Sequence, residues 1–192
     1  MRRIPSAVLV ASLATVASLA LVSCIKKETL PAPVSDADQV AHGKYLVTVL
    51  GCNDCHTPGY FYGAPDTART LSGSELGWKG PWGVTYPRNL TPELQTGIGP
   101  WSESDIVTAI RTGKRPDGRM LLPPMPWPDL AALTDSDAIA IAKYLKTLRP
   151  VSHNVPDIVP PGSPVKGSYF TLPAPSAWDA PRTPPAAPPA KP

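Results

Sequence analysis

Five consecutive residues, Cys52-Asn53-Asp54-Cys55-His56, put two thiols and an imidazole within about one helical turn. Three chemistries use two cysteines at this spacing. A disulfide or thiol oxidoreductase has no need of the histidine and expects a βαβ setting, which this sequence lacks. A structural zinc site needs two more ligands, and past residue 24 the chain has no further cysteine, only His42 and His153. The third is c-type haem attachment, in which two thiols reach the two vinyl groups on one porphyrin edge while the next residue's imidazole binds iron. The stretch after the pentapeptide favours that third reading. Residues 57–100 are rich in Gly, Pro and aromatic side chains and have little periodicity. A loop of that length sits badly in a compact domain unless it wraps something other than protein.

The ends of the chain narrow the foldable part. Residues 1–23 read as an export leader, with Arg2 and Arg3 as the charged start and an Ala/Val/Leu/Ser run after them. Leu21-Val22-Ser23-Cys24 resembles the lipobox of bacterial lipoproteins, which makes Cys24 the expected lipidation site and residues 24–34 a tether. Export places the chain in an oxidising compartment, where thiols are bonded, lipidated or ligated. Many of the 27 prolines lie in residues 151–192, expected to be an extended, mobile tail. One domain, residues 35–150, remains, enough for a single core. No second apolar run could span a bilayer, which excludes a polytopic membrane protein. Without Arg2 and Arg3, the 18 basic residues fall to 16 against 15 acidic ones, leaving no basic stripe for nucleic acid.

Within that domain the periodicity predicts three helices. Ser35 or Asp36 caps the first, which carries Val40, Gly43, Val47 and Leu50 on one face, and a glycine inside a helix predicts close packing against another. Ser102 and Asp105 stand at capping-box spacing before Ile106, Ala109 and Ile110, and Gly113 stops that helix. Thr134 starts the last, with Asp137 as its capping partner, an apolar face of Ala138, Ile141, Ala142, Leu145 and Leu148, and Lys143 and Lys146 toward water. Residues 121–128 hold four prolines and predict a rigid, non-helical segment.

Gly43-Lys44-Tyr45-Leu46, the Cys52 to His56 pentapeptide and a closing helix containing Tyr144-Leu145 together resemble class I cytochrome c domains. Asn89-Leu90-Thr91-Pro92-Glu93, the run from Thr96 to Ser102, and Pro124-Met125-Pro126 resemble the cytochrome c subunits of bacterial periplasmic dehydrogenases. The resemblance implies an all-α, class I cytochrome c-like fold, with helices and long loops around one covalently bound haem c. It implies Cys52 and Cys55 as thioether sites, His56 as one iron ligand, and Met125 in a Pro-flanked loop as the other. Met120 is the alternative thioether, while His42 and His153 are weaker candidates. Trp78, Trp82, Tyr86, Trp101 and Trp127 are candidates to line the haem pocket. Arg88, Arg111 and Arg119 are candidates for its propionates.

The functional expectation is a lipid-anchored monohaem carrier of single electrons on the periplasmic side of a bacterial envelope. Its partners would be a dehydrogenase, an oxidase or another cytochrome. The alternative is a haem enzyme or gas sensor, which needs a displaceable distal ligand. A structural lipoprotein with a Cys52–Cys55 disulfide is a third possibility.

Overall fold

Helix α1 (Asp36–Val49) starts where Ser35, in extended backbone, accepts the Asp38 N–H on its hydroxyl oxygen. It is the first element of residues 34–173, which the computed structural model describes. The leader, Cys24 and most of the tether lie outside these residues. Gly43 carries the packing that its place in a helix predicts. A Cβ there would stand 1.9 Å from the carbonyl oxygen of Ala140 in helix α5 (Asp135–Thr147), so the two helices meet backbone to backbone.

Helix α3 (Glu103–Thr112) packs on α5 and is opened by a reciprocal capping box between Ser102 and Asp105. It ends at Gly113, whose φ of 71° belongs to the left-handed region. The three helices enclose a core of Val47, Leu71, Ile98, Ile106, Ile141, Ala142 and Leu145. At the start of α5 Thr134 accepts the Asp137 N–H on its hydroxyl oxygen, and the Asp137 carboxylate receives the Thr134 hydroxyl and His42 Nε2, at 2.7 Å each. The two lysines of α5 do not both point to water. Lys146 donates to the carbonyls of Gly99 and Trp101, and Lys143 pairs with Asp36.

The all-α expectation needs correcting, since a small sheet accompanies the helices. Strands β1 (Gly77–Gly80) and β2 (Gly83–Thr85) form an antiparallel hairpin, and β3 (Tyr169–Thr171) joins β1 in parallel, giving the order β2-β1-β3. The strands are three or four residues long and the hairpin is glycine-rich, so no alternation marks them in the sequence. Gly83, at φ 100°, turns the hairpin where a Cβ would lie 2.1 Å from the Val159 carbonyl oxygen. On the sheet's face Trp78 packs against Phe170 and edge-on to Phe61, with ring centroids 5.0 and 5.5 Å apart.

Two further expectations change. A single helical turn, α4 (Trp127–Leu130), begins inside the proline run, because a proline in the first turn gives up an N–H that would have had no helical partner. Residues 151–173 are largely extended, yet they are not detached from the rest of the domain. The Val151 carbonyl accepts from Asn89 Nδ2 at 2.8 Å, Val159 exchanges two backbone hydrogen bonds with Val84, and β3 completes the sheet. Among the described residues no helix is long and apolar enough to cross a membrane.

Gly43→Ala tests the α1–α5 contact. Alanine improves helix propensity by about 1 kcal/mol, but the overlap with Ala140 forces the helices apart. The expected result is a net loss of about 2 kcal/mol, read as a lower urea midpoint at unchanged slope.

Candidate functional site

Gly51 ends α1 in the left-handed region at φ 68° and starts the turn α2 (Cys52–His56). The turn places Cys52, Cys55 and His56 at positions i, i+3 and i+4, which share one helical side. All three line a single, mostly apolar cavity of about 550 Å³. Thr57 locks the exit of the turn, since its hydroxyl donates to Asn53 Oδ1 at 3.1 Å and accepts the buried Leu71 N–H at 2.9 Å. The Gly73 N–H, 2.8 Å from the His56 carbonyl oxygen, holds the backbone of the histidine itself.

The imidazole has a defined tautomer. His56 Nδ1 lies 2.7 Å from the Arg88 carbonyl oxygen. A carbonyl can only accept, so Nδ1 carries the proton and Nε2 keeps its lone pair. Burial pushes the imidazole's pKa below its ordinary value, against a smaller upward pull from the Arg88 carbonyl, which favours this neutral form. Burial acts oppositely on the thiols: Cys52 is pushed up to about 11 and Cys55 is also raised. A thiol oxidoreductase needs a depressed thiol pKa, so this environment speaks against that reading. Among the described residues no group of three His, Cys, Asp or Glu side chains is placed to hold a metal ion.

Other elements close the cavity. Val47 of α1, Ile106 and Ile110 of α3, and Ile141 and Leu145 of α5 supply aliphatic wall, while Trp78, Tyr86 and Trp101 supply aromatic wall. Trp82 and Trp127 do not line it. The ring of Trp127 instead fills the space beside Gly113. Both candidate thioethers reach the cavity. Met125 is half-buried, in a loop pinned where Thr85 Oγ1 donates to the Pro123 carbonyl at 2.7 Å, whereas Met120 is 43% exposed. His42 is bonded to Asp137, and His153 to Ser72 and Glu75, both away from the cavity lining.

The arginines sort differently from expectation. Arg111 pairs with Asp135, and Arg119 with Asp117, neither at the cavity. Arg88 lines the cavity, but its guanidinium is bonded to residues 155–157. The arginine with a donor to spare is Arg115, which sequence reasoning passed over. It lines the cavity and lies over the Trp101 ring at 5.8 Å. Its Nη2 stands 3.2 Å from Asp117, while its buried Nε has no hydrogen-bond partner. Such a donor calls for an anionic acceptor. Two thiols and a neutral imidazole on one wall, a thioether from another loop, flat apolar surroundings and an unsatisfied guanidinium N–H fit haem c, whose macrocycle is apolar and whose propionates are carboxylates.

Comparisons with known proteins agree with this fit. No family model matches the chain. The cytochrome c subunit of alcohol dehydrogenase (quinone) from Gluconobacter oxydans (strain 621H) is 35% identical over 132 residues, 66% of this chain and 26% of that subunit. The fructose dehydrogenase cytochrome subunit of Gluconobacter japonicus is 36% identical over 115 residues, 58% of this chain and 22% of that protein. A diheme cytochrome c-type protein of Cereibacter sphaeroides is 28% identical over 116 residues, 58% of this chain and 37% of its own length. The chain thus spans about a quarter of the dehydrogenase subunits it matches.

Thr57 offers a direct check on how the α2 turn is held. Thr57→Val strands the buried Leu71 N–H and should cost about 2 kcal/mol in chemical denaturation, whereas Thr57→Ser keeps both bonds and should recover most of that loss.

The chain carries a cytochrome c domain that resembles the cytochrome c subunits of dehydrogenases.

Proposed function

We propose, with that cytochrome c domain as the premise, that this protein is a lipid-anchored monohaem c-type cytochrome. It passes single electrons on the periplasmic side of a bacterial envelope and receives them from a dehydrogenase. The observation that carries the reading is the meeting of Cys52, Cys55 and the lone pair of His56 with Met125 on the wall of one apolar cavity. Haem c supplies one-electron exchange between ferric and ferrous iron. Cys52 and Cys55 would hold it by thioether bonds, and His56 Nε2 and the Met125 thioether would bind its iron.

The remaining residues tune this arrangement. The Arg88 carbonyl orients the imidazole and raises its basicity. Arg115 would pair with a propionate and so satisfy its Nε. The isoleucine and leucine walls would keep water from the iron, and a thioether with a histidine as its ligands would raise the potential relative to two histidines. With His56 and Met125 both bound to iron, no coordination site would remain for a substrate, which would separate a carrier from an enzyme or gas sensor.

One pentapeptide of this kind in the sequence supports a single haem. The dehydrogenase partner rests on the relatives, which are named as subunits of such enzymes. The leader over residues 1–23, lipidation at Cys24 and the tether over 24–34 are the basis for the anchor and the location. The haem domain is taken to run past residue 150, because residues 151–172 complete its sheet and its cavity wall.

Covalent attachment is tested by acid-acetone extraction followed by intact mass, with haem expected to stay on the chain. Release of all haem into the solvent phase would contradict it. For the distal ligand, Met125→Ala should abolish the weak charge-transfer band at the red end of the ferric spectrum, and Met120→Ala should leave it; the reverse pattern assigns the iron to Met120. Stopped-flow mixing decides between carrier and catalyst. The reduced protein should exchange electrons quickly with an oxidised small cytochrome and react slowly with carbon monoxide or peroxide, and the opposite result would establish the enzyme or sensor.

A further inference from the structure

The residue that orients His56 is itself held from behind. The Arg88 carbonyl accepts a hydrogen bond from His56 Nδ1 at 2.7 Å, while the Arg88 guanidinium bonds the segment that follows the last helix. There Nη1 donates to the carbonyls of Val155 and Pro156, both at 3.0 Å, and Nη2 lies 3.2 Å from Asp157 Oδ1. The Asp157 carboxylate is fully exposed, so that ion pair is screened by water and adds little. The two charge-assisted bonds to backbone carbonyls carry the grip.

The same segment holds the neighbours of Arg88. Asn89 Nδ2 donates to the Val151 carbonyl at 2.8 Å, and Thr91 Oγ1 accepts the Val151 N–H at 3.1 Å. Farther along, Val159 and Val84 exchange backbone bonds of 2.8 and 3.0 Å. Between these anchors Ile158 reaches the cavity itself. Pro87 and Leu90 are tied on the other side, through the Ser74 N–H and the Leu71 carbonyl. The side chain of Arg88, by contrast, makes its hydrogen bonds only to residues 155–157 among the described residues.

We propose that residues 151–159 are a strap that fixes the iron-binding imidazole through Arg88, making Arg88 a positioning residue for His56. The proposal rests on the reading of His56 as an iron ligand. With the strap seated, the Arg88 carbonyl stays aligned on Nδ1–H and keeps the imidazole a strong donor. With the strap loosened, that bond lengthens, the imidazole donates less to iron, and the ferric state loses stabilisation.

Two variants of the full haem-loaded chain test this. Arg88→Lys keeps the positive charge but replaces the rigid guanidinium, whose Nη1 reaches both carbonyls, with a flexible ammonium on a shorter stem. Val159→Pro leaves Arg88 untouched and removes the N–H that pins the far end of the strap to the Val84 carbonyl. Three quantities are compared with the unaltered protein: amide exchange at Val84, Val151 and His153, solvent exchange of the His56 Nδ1 proton in the ferric NMR spectrum, and the midpoint potential. Both variants are expected to speed amide exchange about tenfold, speed exchange of the His56 proton, and raise the potential. Strap amides that loosen while the His56 proton and the potential keep their original values overturn the coupling. Strap amides that exchange no faster in Arg88→Lys overturn the grip. Intact mass separates either failure from that of the underlying reading, because an unaltered chain lacking the mass of one bound haem overturns the haem assignment and this proposal with it.

Discussion

Of the seven residues in the hydrophobic core, Val47, Ile98, Ile106, Ile141 and Leu145 also line the cavity. The domain therefore has no core separate from its site. Helices α1, α3 and α5 bury one side of these residues against each other and leave the other side facing the cavity. Burial of apolar surface is the main favourable contribution to folding, at about 25 cal/mol per Å², so whatever fills the cavity completes the core. The close approach of α1 and α5 at Gly43 matters for the same reason. It sets where Val47 lies and where the chain leaves α1 at Gly51, and hence where the two thiols and the imidazole of α2 point.

Much of this is legible in the sequence, and the legible parts share a cause. The Cys52 to His56 pentapeptide, the Ser102 capping box and the glycine at the helix contact are local patterns whose geometry depends on a few residues of chain. The Pro-flanked Met125 reaching the cavity is a related case, because the prolines limit where its loop can go. The hairpin is not legible, because strands of three and four residues carrying three glycines between them present no period-2 face. The turn α4 escapes any reading in which prolines exclude helix, since a first turn tolerates them.

The strap and Arg115 are hidden for a different reason. Residues 151–172 are held largely through their own backbone groups, which every sequence has, by side chains 57 or more positions earlier in the chain. A high proline content then reads as a free tail when it marks an extended segment lying along a domain. Arg115 differs from Arg111 and Arg119 in facing the cavity, over Trp101, with its Nε left without a partner. That distinction is made by tertiary packing, and nothing in the residues beside Arg115 announces it.

The contact between Arg88 and the strap also bears on how freely this part of the chain can change. Its principal acceptors are the carbonyl oxygens of Val155 and Pro156. A replacement at either position that keeps the extended backbone keeps the acceptor, whatever the new side chain. Arg88 has no such latitude, because no other side chain offers a planar set of donors on a stem of that length. Mutational tolerance is thus divided unequally across a single contact. The strap can drift in sequence while holding its course, and the invariance falls on the one arginine that grips it.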